Sequence, residues 1–287
     1  MVQAVGRAIV AGLLGVALLF FLFPIFWIFE TSFKSLKDSE SPVPRFLDFT
    51  PTLDNYRHIF VQTTQTATGG TANVATDFPH FFLNSIMIDI TATALALVLG
   101  TLAAYAFSRF RVPAKADLLF FILSTRMLPP VAVLIPIFLM YTQLNLIDTY
   151  QGMILLYTTF NIPFAVWMMK GFIDEIPKEY EDAAMVDGYT RFQAFRKIII
   201  PQSLPAAAAT SVFLVITVWN EFVFATQITQ TTTRTAPPGI AATQTMGGID
   251  WGLIAAVSTL FVLPVVIFTF LVRNHLLRGV TFGAVRR

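Results

Sequence analysis

A chain of 287 residues with 55% hydrophobic and only 13% charged residues departs from soluble domains, in which about 25% of residues are charged. Its solvent is largely lipid, and the length converts into six apolar spans of about 20 residues with connecting loops. The absence of cysteine excludes disulfides and thiolate chemistry, His58, His80 and His275 lack metal-site spacing, and a net charge of +2 calls for no nucleic acid.

The first predicted span, Ala8 to Phe29, is too long for the apolar core of a secretory signal and has no small-x-small site behind it, so a retained helix is expected. A loop over 34–80 follows, in which Thr63 to Thr76, rich in Thr, Ala and Gly, is expected to be flexible and solvated. Spans two, three and four are predicted at Phe81 to Phe107, Leu118 to Tyr141 and Gly152 to Met169. A charged segment over 171–203 separates them from span five, Leu204 to Ala225. A second Thr-rich loop, 226–250, leads to span six, Trp251 to Val272, and a tail over 273–287.

Basic residues in short loops stay on the cytoplasmic side. With the N-terminus inside, every Lys and Arg except Lys34, Lys37, Arg45, Arg57, Arg234 and the intra-span Arg126 falls on that side. Both termini are therefore expected in the cytoplasm, and loops 34–80 and 226–250 in the periplasm.

Two short helices are predicted in 171–203. Pro177 suits a first turn, acidic Glu179, Glu181 and Asp182 suit the positive helix start, and Gly188 suits the position just past the end. Thr190 and Gln193 have capping-box spacing, and Pro201 is expected to stop the second helix. Phe192, Phe195 and Ile199 are expected to form one apolar face that a partner or the membrane surface must cover.

The run Asp182-Ala183-Ala184, three residues, Gly188, nine residues, Ile198-Ile199-Ile200-Pro201 resembles the EAA signature of binding-protein-dependent ABC importer permeases. It departs from the usual pattern at Asp182, usually Glu, and at Ile200, usually Leu; Glu181 supplies a neighbouring carboxylate. Further segments are similar to the carbohydrate-uptake branch, and to the second permease of the maltose transporter within it. They are Thr31 to Lys34, Thr50 to Tyr56, Asn84-Ser85, Ala103 to Arg109, Met127 to Pro129, Trp219 to Phe222 and Arg278 to Val285.

The resemblance implies an all-α, polytopic type I ABC importer permease fold with six transmembrane helices in the bacterial inner membrane. It implies a subunit that moves a sugar, oligosaccharide or polyol by alternating access. Its implied partners are a second homologous permease, two ATPase subunits and a periplasmic or lipid-anchored binding protein, besides the small carbohydrate and membrane lipid. Glu181, Asp182, Ala183, Ala184, Gly188, Phe192, Phe195, Ile198 and Pro201 are then the ATPase-coupling residues, and Gly279, Val280, Phe282 and Gly283 an ATPase-contacting tail. The chain has no G-x-x-x-x-G-K-[ST] loop, so no cofactor is expected on it, and ATP with Mg belongs to the ATPase. Neither a Ser-His-Asp set nor a carboxylate pair on one predicted face supports an enzyme.

Polar groups inside spans are costly and mark candidate function. Asp89, Arg126, Asn161, Trp219, Asn220 and Glu221 are the candidate substrate pathway; Asp89 and Arg126 equally suit structural pairing. An ion-coupled secondary transporter, or a permease for a non-sugar substrate such as glycerol phosphate, is the alternative.

Overall fold

The computed structural model describes residues 2–65, 71–242 and 249–282. Among them, five helices are long and apolar enough to cross a membrane, or six if one bent pair counts as a single span. The chain divides into two units, Met1–His80 with Gly239–Leu263, and Phe81–Pro238 with Pro264–Arg287.

In the first unit, α1 (Val2–Thr31) exposes apolar side chains such as Leu13, Leu19, Phe20 and Phe21, as a helix facing lipid or other protein does. Short helices α2 (Leu36–Ser39) and α3 (Asp54–His58) follow. The stretch expected to be flexible contains an antiparallel ribbon instead, with β1 (Val61–Gln65) and β2 (Thr71–Ala75) paired from Val61 opposite Ala75 to Gln65 opposite Thr71. The Thr-rich composition that reads as solvated loop is also β-branched, and two such runs satisfy each other's backbone. Asn55 ties the unit together. Its side-chain amide donates to the Ser32 and Lys34 carbonyls at 2.9 and 2.8 Å, and Gly252 leaves room for it, since a Cβ there would come within 2.7 Å of the Asn55 amide nitrogen.

The second unit carries α4 (Phe78–Arg109), α5 (Lys115–Thr125), α6 (Pro130–Gln143), α7 (Tyr150–Glu175), α8 (Glu179–Val186), α9 (Arg191–Ala194), α10 (Ile200–Trp219) and α11 (Val223–Ile228). Helices α12 (Ala236–Ala241) and α13 (Trp251–Phe282) complete the chain. Small residues let spans approach closely: Ala96 and Ala165 are fully buried, and Gly100 lies directly against Ala165. One apolar cluster joins Ile88, Met153, Tyr157, Val218, Phe224 and Ile228; another joins Tyr105, Met169, Ile173, Phe195, Ile199 and Ala206.

Three further expectations change. The third span is broken, α5 and α6 being bent by 89° at a short break, because Pro129 and Pro130 remove N–H donors and bias the residue before each toward extended backbone. Pro201 does not end a helix: Arg191 to Trp219 is one helical run with a π-helical segment, Phe195–Ile199, just ahead of the proline. There the Ile200 N–H reaches back five residues to the Phe195 carbonyl, and the widened turn carries the chain past Pro201. The last helix also runs on to Phe282, where a tail is expected from 273.

Candidate coupling and pathway sites

Helix α7 stops where Ile176 is extended ahead of Pro177, and α8 begins with Glu179, Glu181 and Asp182 in its first turn, where the helix dipole favours carboxylates. Its end is a Schellman motif: Gly188 N–H donates to the Met185 carbonyl at 3.1 Å and Tyr189 N–H to the Ala184 carbonyl at 3.0 Å. Gly188 sits at φ +88° with open space around it, so glycine is needed there for backbone conformation and not for room within the chain. Thr190 and Gln193 close a full capping box on α9.

This local geometry sorts the expected coupling residues into two sets. Asp182, Ala183, Gly188, Phe192 and Pro201 are exposed, whereas Glu181, Ala184 and Phe195 are buried and Ile198 is half-buried. The expected apolar face is therefore split. Phe195 and Ile199 are covered by the chain's own α4 and α7, while Phe192, 68% exposed, points away with Val186, Tyr180 and Tyr189. The split comes from packing, since α4 and α7 cover the side of the helix occupied by Phe195 and Ile199, and Phe192 lies ahead of both that contact and the π turn.

Glu181 does not face outward to meet a partner's basic groups. Its side chain is 7% exposed, pairs with Arg109 Nε, itself on a 5% exposed side chain, and accepts from the Tyr105 hydroxyl at 2.8 Å. Arg109 Nη2 also donates to the Ile176 carbonyl at 2.8 Å. Beside Arg109, Ser108 donates to Asp174 at 2.6 Å, and Lys170 pairs with the same carboxylate.

Among the candidate pathway residues, Arg126 Nη1 donates to the Phe160 carbonyl at 2.9 Å and to Asn161 Oδ1 at 3.3 Å, beside the Pro163 that removes a donor from α7. Asn161 donates to the Tyr157 carbonyl at 2.8 Å, and the Tyr157 hydroxyl donates to Glu221 Oε2 at 2.8 Å. Glu221 is then occupied by the N–H groups of Phe224 and Ala225 at 2.9 and 3.0 Å, which start α11. Arg126, Asn161 and Glu221 thus belong to one chain of contacts, without a direct Arg126–Glu221 pair among the described residues.

Asp89 and Trp219 share a different feature, a cavity of about 330 Å³ between α4, α10 and α13 that Thr93, Ser211, Pro264 and Phe268 also line. Thr93 donates to Asp89 Oδ1 at 3.0 Å, and Trp219 packs edge-on against Phe82. Asn220 joins neither group; it is exposed and donates to the Ile216 carbonyl, ending α10. Of the expected partner-contacting tail, Gly283 lies outside the described residues, as do the side chains of Val280 and Phe282, while the Gly279 backbone is part of α13.

Asp148 escapes sequence reasoning. From φ +54° it accepts the N–H groups of Gln230, Thr231, Thr232 and Thr233 and the Thr233 hydroxyl, binding the start of the second Thr-rich loop as a strap. Partial burial raises its pKa, but the N–H donors outweigh that and hold the carboxyl well below the usual range. Asn84 adds two bonds to the Thr232 and Arg234 carbonyls at 3.0 Å, and the Ser85 hydroxyl accepts from Ala236 N–H at 2.8 Å. Residues 229–236 of the second Thr-rich loop are thus held. Its one sequence signal is a lone carboxylate in a short inter-span loop.

Helices of membrane-spanning length, one pair of them bent at a break, with a capped helix pair between the fourth and fifth, are the elements of a polytopic membrane protein. Residues 96–282 match the family described as the inner membrane component of binding-protein-dependent transport systems, and the chain belongs to that family. It is 35% identical over 93% of its length to 91% of a probable ABC transporter permease protein, y4oR, of Sinorhizobium fredii. It is 34% identical to the trehalose transport system permease protein SugB of Mycobacterium tuberculosis, over 92% of each chain. Its fold matches a chain of a bacterial ABC transporter involved in importing the acidic polysaccharide alginate, with a TM-score of 0.74, 21% identity, and 96% and 97% of the two chains covered.

Proposed function

We propose that this permease is one half of the membrane pathway of an ATP-driven sugar importer and that α8 and α9 are its coupling segment. The observation that carries this is the signature run folded as a capped helix pair whose outward face combines Asp182, Val186, Tyr189 and Phe192. Apolar and aromatic groups rimmed by a carboxylate are the composition of a protein-docking patch. The sugar class is supported by relatives such as the trehalose permease. The basic-residue bias supports cytoplasmic termini, which puts this patch on the side where ATP is available.

Hydrolysis belongs to separate ATPase subunits, and a second permease completes the path. A binding protein delivers the sugar at the opposite face, where the strap around Asp148 presents Gln230, Thr231 and Thr232. Within the path, Asp89, Thr93, Ser211 and Trp219 offer hydroxyl, carboxylate and ring surfaces suited to a hydroxylated ligand.

The test is reconstitution of this chain with its neighbouring transport subunits in proteoliposomes. Its binding protein is first screened by thermal shift against mono-, di- and oligosaccharides and polyols. ATP-dependent uptake of the sugar that shifts it is the expected result. Uptake without an ATPase, driven by an ion gradient, overturns the reading.

A further inference from the structure

The geometry points to Arg109 and Tyr105 as positioning residues for energy coupling: they clasp Glu181 so that α8 and the end of α4 move as one body. The inference rests on the reading of α8 as the coupling helix. Glu181 and Asp182 stand side by side at the start of the signature, yet only Asp182 is exposed. Glu181 turns inward, where one oxygen pairs with Arg109 and the other accepts from Tyr105.

The same turn of α4 reaches the neighbouring elements. Arg109 caps the Ile176 carbonyl at the end of α7, Ser108 holds Asp174, and the Tyr105 ring lies 4.5 Å from the Phe195 ring in the π-helical segment. Five contacts from Tyr105 to Arg109 therefore fix the end of α7, the first turn of α8 and the start of the π turn. The ion pair is almost wholly buried, so separating it leaves charges without solvent, and the clasp resists parting under load. A push on the exposed Val186 and Phe192 face reaches α4 without rearranging side chains. Helix α4 is also the one that carries Asp89 and Thr93 into the membrane cavity.

The chain has no cysteine, so Glu179→Cys on α8 and Leu102→Cys on α4, both exposed, take spin labels selectively. The distance between them is measured by pulsed electron paramagnetic resonance in the assembled complex, nucleotide-free and trapped with Mg-ATP and vanadate. The clasp predicts one distance that is the same in both states, although each label moves relative to the ATPase. In Glu181→Gln, which keeps the side-chain shape, and in Arg109→Met, a second distance appears in the trapped state. The exchanged pair Arg109→Glu with Glu181→Arg restores a single distance.

A label distance that shifts between states in the parent protein, or a Glu181→Gln complex indistinguishable from it, overturns the clasp while leaving the coupling reading intact. Failure of ATPase subunits to co-purify with the unlabelled chain overturns that reading, and the clasp's role with it.

Discussion

Asp148 accepts the backbone N–H of Thr232 at 3.0 Å across 84 residues of sequence, and with that bond a loop of threonines becomes a fixed surface. Three further N–H groups converge on the same carboxylate. Replacing Asp148 with Ala should release the strap while the spans stay folded. Amide exchange at Gln230 to Thr233 is expected to quicken about tenfold, the equivalent of about 1.4 kcal/mol of local stability.

The same carboxylate sets a pH dependence. A carboxyl held below its unfolded value of about 3.9 contributes stability at any pH above that value and loses it as pH falls through the lower folded value. Protection of the strap should therefore be constant from neutral pH to about 4 and fall only in stronger acid. Loss of protection between pH 7 and pH 5, read by exchange, would contradict this.

Gly188 separates strain from size. At φ +88° with open space around it, any Cβ is strained by roughly 1–2 kcal/mol, and added bulk costs little more. Gly188→Ala and the unbranched Gly188→Gln should therefore weaken ATPase stimulation similarly, whereas Gly188→Asn, which tolerates this conformation, should keep most of it. A graded loss that follows side-chain volume would show instead that a partner fills the space.

Phe192 and Phe195 are three residues apart and should fail differently. Phe195 is buried against Tyr105, so Phe195→Ala is expected to lower the thermal stability of the solubilised protein, by about 3 kcal/mol. Phe192 is exposed, so Phe192→Ala should leave the melting temperature unchanged and weaken ATPase association about tenfold or more, measured by co-purification at dilution.

Arg126 is held by the Phe160 carbonyl and the Asn161 amide and has no carboxylate within ion-pair distance among the described residues. An arginine at span depth costs about 2.5–3.5 kcal/mol on insertion scales, so Arg126→Met should preserve or raise stability. If Arg126 serves the pathway, uptake falls while stability does not. A variant that unfolds assigns Arg126 to structure.

The amino-acid sequence by itself determined the membrane class, the approximate spans and the signature between the fourth and fifth, because these are written in hydrophobicity and short-range spacing. Helix ends that local chemistry governs were also legible: the Gly188 turn and the Thr190 box lie at the predicted residues, whereas Pro177 falls just ahead of the Lys178 N-cap and not in the first turn. Only the tertiary structure decided which of two adjacent carboxylates faces inward, because the choice rests on Tyr105 and Arg109, 76 and 72 residues from Glu181. It likewise decided that Phe195 is core while Phe192 is surface, since α4 and α7, distant in sequence, cover only the side of the helix on which Phe195 and Ile199 lie. The candidate pathway residues form two groups for the same reason. Arg126, Asn161 and Glu221 are linked through Tyr157, whereas Asp89 and Trp219 meet at a cavity, and both groupings arise from helices packing across long sequence separations.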